Sequence, residues 1–152
     1  MRRVGISLVI VMGLAALAGP AWASDATLKN ALKPYKTRLT ADVAYLAAFK
    51  VPSSSAASGV QSKLSKISKD LQGATQAANA NQASTKNGRK GRSQVLDGLH
   101  DAIAAADSAR ACVKAVKAGK ASAAKSDRKL EQSNVNRAIP LLESGGKLLK
   151  LF

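Results

Sequence analysis

The sequence predicts an all-α protein folded as an antiparallel, up-down four-helix bundle. Two observations of content and one of spacing lead there. Aromatic residues make up only 3% of the 152-residue chain while alanine is abundant. Apolar residues recur every three or four positions, which is a helical period and not the alternation of strands. Four such segments, each roughly 22 to 30 residues or about 33 to 45 Å long at the rise of an α-helix, are joined by short connections, as antiparallel neighbours require. The competing architecture is a three-helix bundle with a loosely attached first helical segment, because Pro34 falls inside that segment.

Residues 1–23 stand apart from the fold. Met1-Arg2-Arg3 is a short cationic start, residues 4–18 are apolar, Gly19-Pro20 breaks the run, and Ala21-Trp22-Ala23 has the small-x-small form read by signal peptidase. The run falls short of the ~20 apolar residues of a membrane-spanning helix. A signal peptide cut after Ala23 is expected, and with it a bacterial exported protein, periplasmic or secreted, with no transmembrane segment after cleavage. Arg2-Arg3 lacks the polar and aromatic surroundings of a twin-arginine signal, and no cysteine follows the run to carry a lipid anchor. Residues 24–152 then form one helical domain of 129 residues, long enough for a core without disulfides.

The first segment spans residues 25–50. Leu28, Leu32, Tyr35, Leu39, Val43, Leu46 and Phe49 make one continuous stripe. Ser24 or Asp25 can cap its start, Pro34 should kink or break it near Lys33, and Pro52 ends it. The second follows Ser53-Ser54-Ser55, each a candidate N-cap. Its Val60, Leu64, Ile67, Leu71, Ala74 and Ala78 step as a heptad seam that fades near residue 83. The third starts at Arg92 or Ser93, carries Val95, Leu99, Ala102, Ala106, Ala109, Val113 and Val116 on one face, and stops at Gly119. The fourth, residues 122–143, has an apolar face that strengthens through Leu130, Val135, Ala138, Ile139, Leu141 and Leu142. Pro140 should bend or break it, and Gly145-Gly146 should end it. Residues 145–152 are left as a short amphipathic tail, ending KLLKLF, expected to fold back on the open end of the bundle.

Little in the sequence offers catalysis. His100 and Cys112 are the single histidine and cysteine. On one helix, their separation of 12 positions puts them about 18 Å apart along the axis and about 120° apart around it. Di-iron bundles need several inward glutamates with Glu-x-x-His motifs, whereas Glu131 and Glu143 are the two glutamates and neither is followed by histidine. Covalent haem needs Cys-x-x-Cys-His, which is absent, and Met1 and Met12 leave with the leader. Asp97 and Asp101 lie side by side at i, i+4 without a third ligand, and are expected to pair with lysines of a neighbouring helix. No enzyme, metal or cofactor is expected. Cys112 is read as a buried apolar residue, with an intermolecular disulfide as the alternative.

Charge is the more informative property. Without residues 1–23 the chain keeps 22 cations and 9 acids, a net charge of +13. Lys29/Lys33/Lys36, Lys63/Lys66/Lys69, Lys114/Lys117/Lys120 and Lys125/Arg128/Lys129 repeat at helical-neighbour spacings, where like charges destabilise by roughly 0.2–0.5 kcal/mol per pair. Asp25–Lys29, Arg38–Asp42 and Lys66–Asp70 are spaced to relieve some of this. Lysine helps a thin-cored bundle stay soluble, but that leaves the shortage of glutamate, an equally good helix former, unexplained. The expected partners are therefore anionic polymers or lipid headgroups of the cell envelope, met non-specifically. Sequence-specific nucleic-acid recognition is not expected, for want of aromatic platforms or a recognisable module. The alternative function is a structural or chaperone-like interaction module that uses the heptad and alanine-rich faces.

The densest cationic stretch is STKNGRKGR, residues 84–92. Gly88-Arg89-Lys90-Gly91 formally matches a Gly-x-x-Gly backbone clamp, but it lies between helical patterns and not in a mixed fold. Neither does it have P-loop spacing. Its glycines read as punctuation between the second and third helices, and Lys86, Arg89, Lys90 and Arg92 as the candidate polyanion-binding residues on a connecting loop.

Overall fold

A computed structural model describes residues 24–151, so the expected leader and Phe152 lie outside the described residues. Among the described residues there is no strand. The helices are α1 (Asp25–Leu32), α2 (Lys36–Ala47), α3 (Ala57–Ala80), α4 (Lys86–Lys117) and α5 (Ala121–Leu148), with a 3₁₀ turn at Lys33–Tyr35 between the first two. α1 and α2 together make the first arm of a four-helix bundle. The start of α1, the α3–α4 connection and the end of α5 meet at one end of the bundle, hereafter the Ser24 end. The α2–α3 and α4–α5 connections meet at the other, the Gly119 end.

Local chemistry sets the boundaries. Ser24 caps α1 by accepting from the Thr27 amide at 3.0 Å. Pro34 cannot donate a backbone hydrogen bond, and the first arm changes to 3₁₀ geometry around it. The three serines do not cap α3. Its N-cap is Ala56 without a side-chain bond, because Ser53 instead closes the preceding turn by accepting from the Ala56 amide. At the far end of α4, Gly119 adopts φ +68°, with its amide bonded to Val116 and that of Lys120 to Ala115, a Schellman stop.

Two expected boundaries differ. α4 begins at Lys86, capped by Thr85, six residues before Arg92. α5 runs through Pro140 and both Gly145 and Gly146 to Leu148. The glycines at these places are packing residues, not punctuation. Gly88 makes room for the Asp25 carboxylate. At Gly145 a Cβ would stand 2.8 Å from both the Gly91 carbonyl oxygen and the Val95 amide nitrogen, so α4 and α5 approach backbone to backbone there. The chain then ends in a second Schellman turn, with Lys150 at φ 54° and the Leu151 amide bonded to Gly146. Leu149 is buried against the bundle.

α4 is the central helix, packed along α5 on one side and α3 on the other. Leu99, Ala102, Ala105, Ala106, Ala109 and Val113 are buried on it, as is the free thiol of Cys112. The seam of α3 is as its heptads predict, with Leu64, Ile67, Leu71, Ala74 and Ala78 all at 0% exposure. On α5 the stripe is phased by Val135, Ala138 and Gly145. Stepping back one turn from Val135 brings Glu131 to the core, at 0% exposure, while Leu130 points outward at 55%.

Candidate functional site

The four cations of residues 84–92 occupy the first two turns of α4 at the Ser24 end, not a loop. Lys86, Arg89 and Lys90 are exposed. Arg89 also donates to the Ser84 carbonyl. Arg92 is committed elsewhere: its guanidinium donates to the carbonyls of Ala78, Asn81 and Asn79 at 2.8, 2.9 and 3.1 Å. It thereby satisfies the carbonyls left open at the end of α3. Asp25 answers part of this positive charge. Its carboxylate accepts from the Ser84 and Thr85 amides at 3.0 and 3.2 Å and from the Thr85 hydroxyl. The Thr85 hydrogen bond is the main reason its pKa is lowered. The sequence grouped the four cations correctly by distance, but the role of Arg92 depends on where α3 ends.

A second cationic group surrounds the Gly119 end, with Lys114, Lys117 and Lys120 on and after the last turn of α4, Lys125 and Lys129 on the first turns of α5, and Lys50 after α2, all exposed. Lysines at the end of α4 complement the helix dipole there. Lys120, the N-cap of α5, opposes the dipole of that helix, whose first turn carries no acid. Within this end lies the most perturbed group of the described chain. Glu131 is fully buried, bonded to Arg128 through one carboxylate oxygen, and its Oε1 has no hydrogen-bond partner. Burial pushes its pKa up to about 7, against the pull of Arg128. Arg128 in turn lies over the Phe49 ring, 5.6 Å from its centroid. Cys112 is within electrostatic reach of both, and burial pushes its thiol pKa up, which leaves it a weak nucleophile. The spacing Ala124, Glu131, Val135, Ala138 would have identified Glu131, had the stripe been phased on the small residues and not on the leucines.

Three further acids, Asp42, Asp70 and Asp101, are also held. Arg38 pairs with Asp70 across α2 and α3 at 3.1 Å, not with Asp42. Asp42 is buried, with Oδ2 unpaired, and desolvation followed by repulsion from Asp70 raises its pKa. Asp101 pairs with Arg137 of α5 at 3.0 Å, an arginine where a lysine was expected, and Asp97 is exposed beside it. His100 is exposed while Cys112 is buried, so the two do not form a pair. Among the described residues no group of three or more His, Cys, Asp or Glu side chains is placed to hold a metal ion. None of the described helices is long and apolar enough to cross a membrane. Comparison with protein-family models, with curated proteins and with solved structures gives no match.

Proposed function

We propose that this protein is an exported, non-enzymatic basic helical bundle that binds polyanions non-specifically at the bacterial cell envelope, through lysine-rich ends and faces. One observation carries the reading: six of the nine acids are buried, docked or paired with arginines, while the lysines face solvent. Asp70, Asp101, Asp107 and Glu131 each pair with an arginine. Asp25 is docked on α4 and Asp42 is buried. Fifteen of the sixteen lysines are exposed. Lys86, Arg89 and Lys120 stand at the starts of α4 and α5, where the macrodipole is already positive and each works against helix stability by roughly 0.3–1 kcal/mol. Solubility asks for charge, but not for charge of this sign at those places.

The aromatic side chains favour a shape-tolerant contact over base stacking. Tyr35 and Tyr45 lie under Arg38 and Lys63, at 5.4 and 5.6 Å, and Phe49 is buried. The leader pattern of residues 1–23 supports export, which places lipopolysaccharide, wall polymers, anionic lipid and released nucleic acid within reach.

Retention on immobilised heparin and on lipopolysaccharide, followed against salt, tests the reading. Strong retention at low salt with a linear fall of log affinity against log salt is expected. Replacing Lys86, Arg89 and Lys90 together by serine should reduce that slope, and so should replacing Lys120, Lys125 and Lys129. Arg92 is left in place because its loss would open the end of α3. Passage straight through the column at low salt would refute polyanion binding, and an unchanged slope in both variants would remove the two ends from it.

A further inference from the structure

We propose that the groove between α2 and α5 is a binding site for a long-chain fatty acid, its acyl chain laid along the groove and its carboxylate held at the Ser24 end by Lys36 and Lys147. The first arm is packed at both ends, while its middle is held toward α3, by Arg38–Asp70 and the buried Asp42, and is loose toward α5. Leu32, Leu46 and Phe49 are buried, whereas Leu39 and Val43 between them are only half-buried. Facing them on α5, Ile139 and Leu142 are half-buried as well. The space left is a groove of about 560 Å³, a size ordinary for small-molecule sites. It extends along the first arm from Leu32 at the end of α1 to Ala47 at the end of α2, some 22 Å at the rise of a helix, so it is long for its volume. The groove is lined mainly by apolar side chains and opens on a basic exterior.

Its two ends differ, and that difference selects the ligand. α2 and α5 run antiparallel, so Lys36 of α2 and Lys147 of α5 line the groove at the Ser24 end, where Gly146 and Leu151 also border it. Ala44, Ala47 and Ile139 line the opposite end without a charge. Glu143, one turn from Lys147, is the acid among the lining residues, and it leaves the mouth net positive. An apolar track with a cationic mouth suits a linear amphiphile with a small anionic head. A polymeric anion has no use for the apolar track, so the site is separate from the polyanion-binding surfaces proposed above.

Displacement of a fluorescent fatty-acid probe from the purified protein by oleate, oleyl alcohol and oleylamine tests the assignment. Oleate is expected to displace the probe best. Ala44→Trp, which fills the groove from an exposed position on α2, should abolish binding. Lys36→Gln with Lys147→Gln should weaken oleate by about three- to tenfold, the scale of two exposed charge contacts, and leave the alcohol unchanged. Heparin retention should survive Ala44→Trp, which distinguishes failure here from failure of the polyanion reading. Equal binding of oleate and the alcohol would overturn the role of the two lysines. No binding by any of the three would overturn the site.

Discussion

α5 meets two neighbours in two different ways. Against α4 it presents Ala124, Val135, Ala138 and Gly145, small or slender residues, and the two backbones approach until there is no space for a Cβ at Gly145. Toward α2, Ile139 and Leu142 border an open groove with Leu39 and Val43, although Leu142 also packs over Gly98 of α4. A larger side chain packs closely where a hollow receives it, as Gly98 receives Leu142, and stays half-buried where none does. Close packing depends on how well the surfaces interlock, and side-chain bulk without a matching hollow holds helices apart.

The comparison can be broken most directly at its tightest point. Gly145→Val would push side-chain atoms into the Gly91 carbonyl and the Val95 amide, and a rigid backbone contact relaxes poorly. A loss of about 3 kcal/mol or more is expected, at or beyond the upper end of overpacking effects, read as a lower urea midpoint. A loss below about 0.5 kcal/mol, the range of ordinary surface substitutions, would show that the two helices can separate freely.

Glu131 tests the same tight seam by charge. Its pKa is raised from 4.5 to about 7, so the folded protein keeps the proton over a range where the unfolded chain has lost it. Stability should therefore fall as pH rises from about 4.5 to 7 and level off above, by up to about 3 kcal/mol from this group. Glu131→Gln should flatten most of that fall in urea unfolding curves taken across the window. Asp42, also raised by burial, would leave a smaller residue of the same sign. An unchanged slope in the variant would mean that water reaches Glu131.

The smallest effect is expected in the loose seam. Val43→Ala removes two methyl groups from a half-buried site and should cost under about 1 kcal/mol, well below the 2–5 kcal/mol of larger truncations in packed cores. A larger loss by thermal or urea denaturation would show that the groove is closed in solution.

Helical period alone was enough to read the four arms, the break at Pro34, the heptad seam of α3 and the stop at Gly119, because these follow from local backbone chemistry and from which residues must leave water. Sequence proximity likewise grouped Lys86, Arg89 and Lys90, but on a connecting loop and not on the first turns of α4, where they lie. Sequence could not say what a glycine is for. Gly88, Gly91 and Gly145 look like punctuation in one dimension, and only the arrival of Asp25 and of a second backbone makes them contact points. Nor could it assign partners: Arg38 chose Asp70 over Asp42, Arg92 went to the end of α3, and Glu131 rather than Leu130 entered the core. Each of those outcomes depends on the rotation and separation of helices distant in sequence, quantities that residue spacing within one helix does not contain.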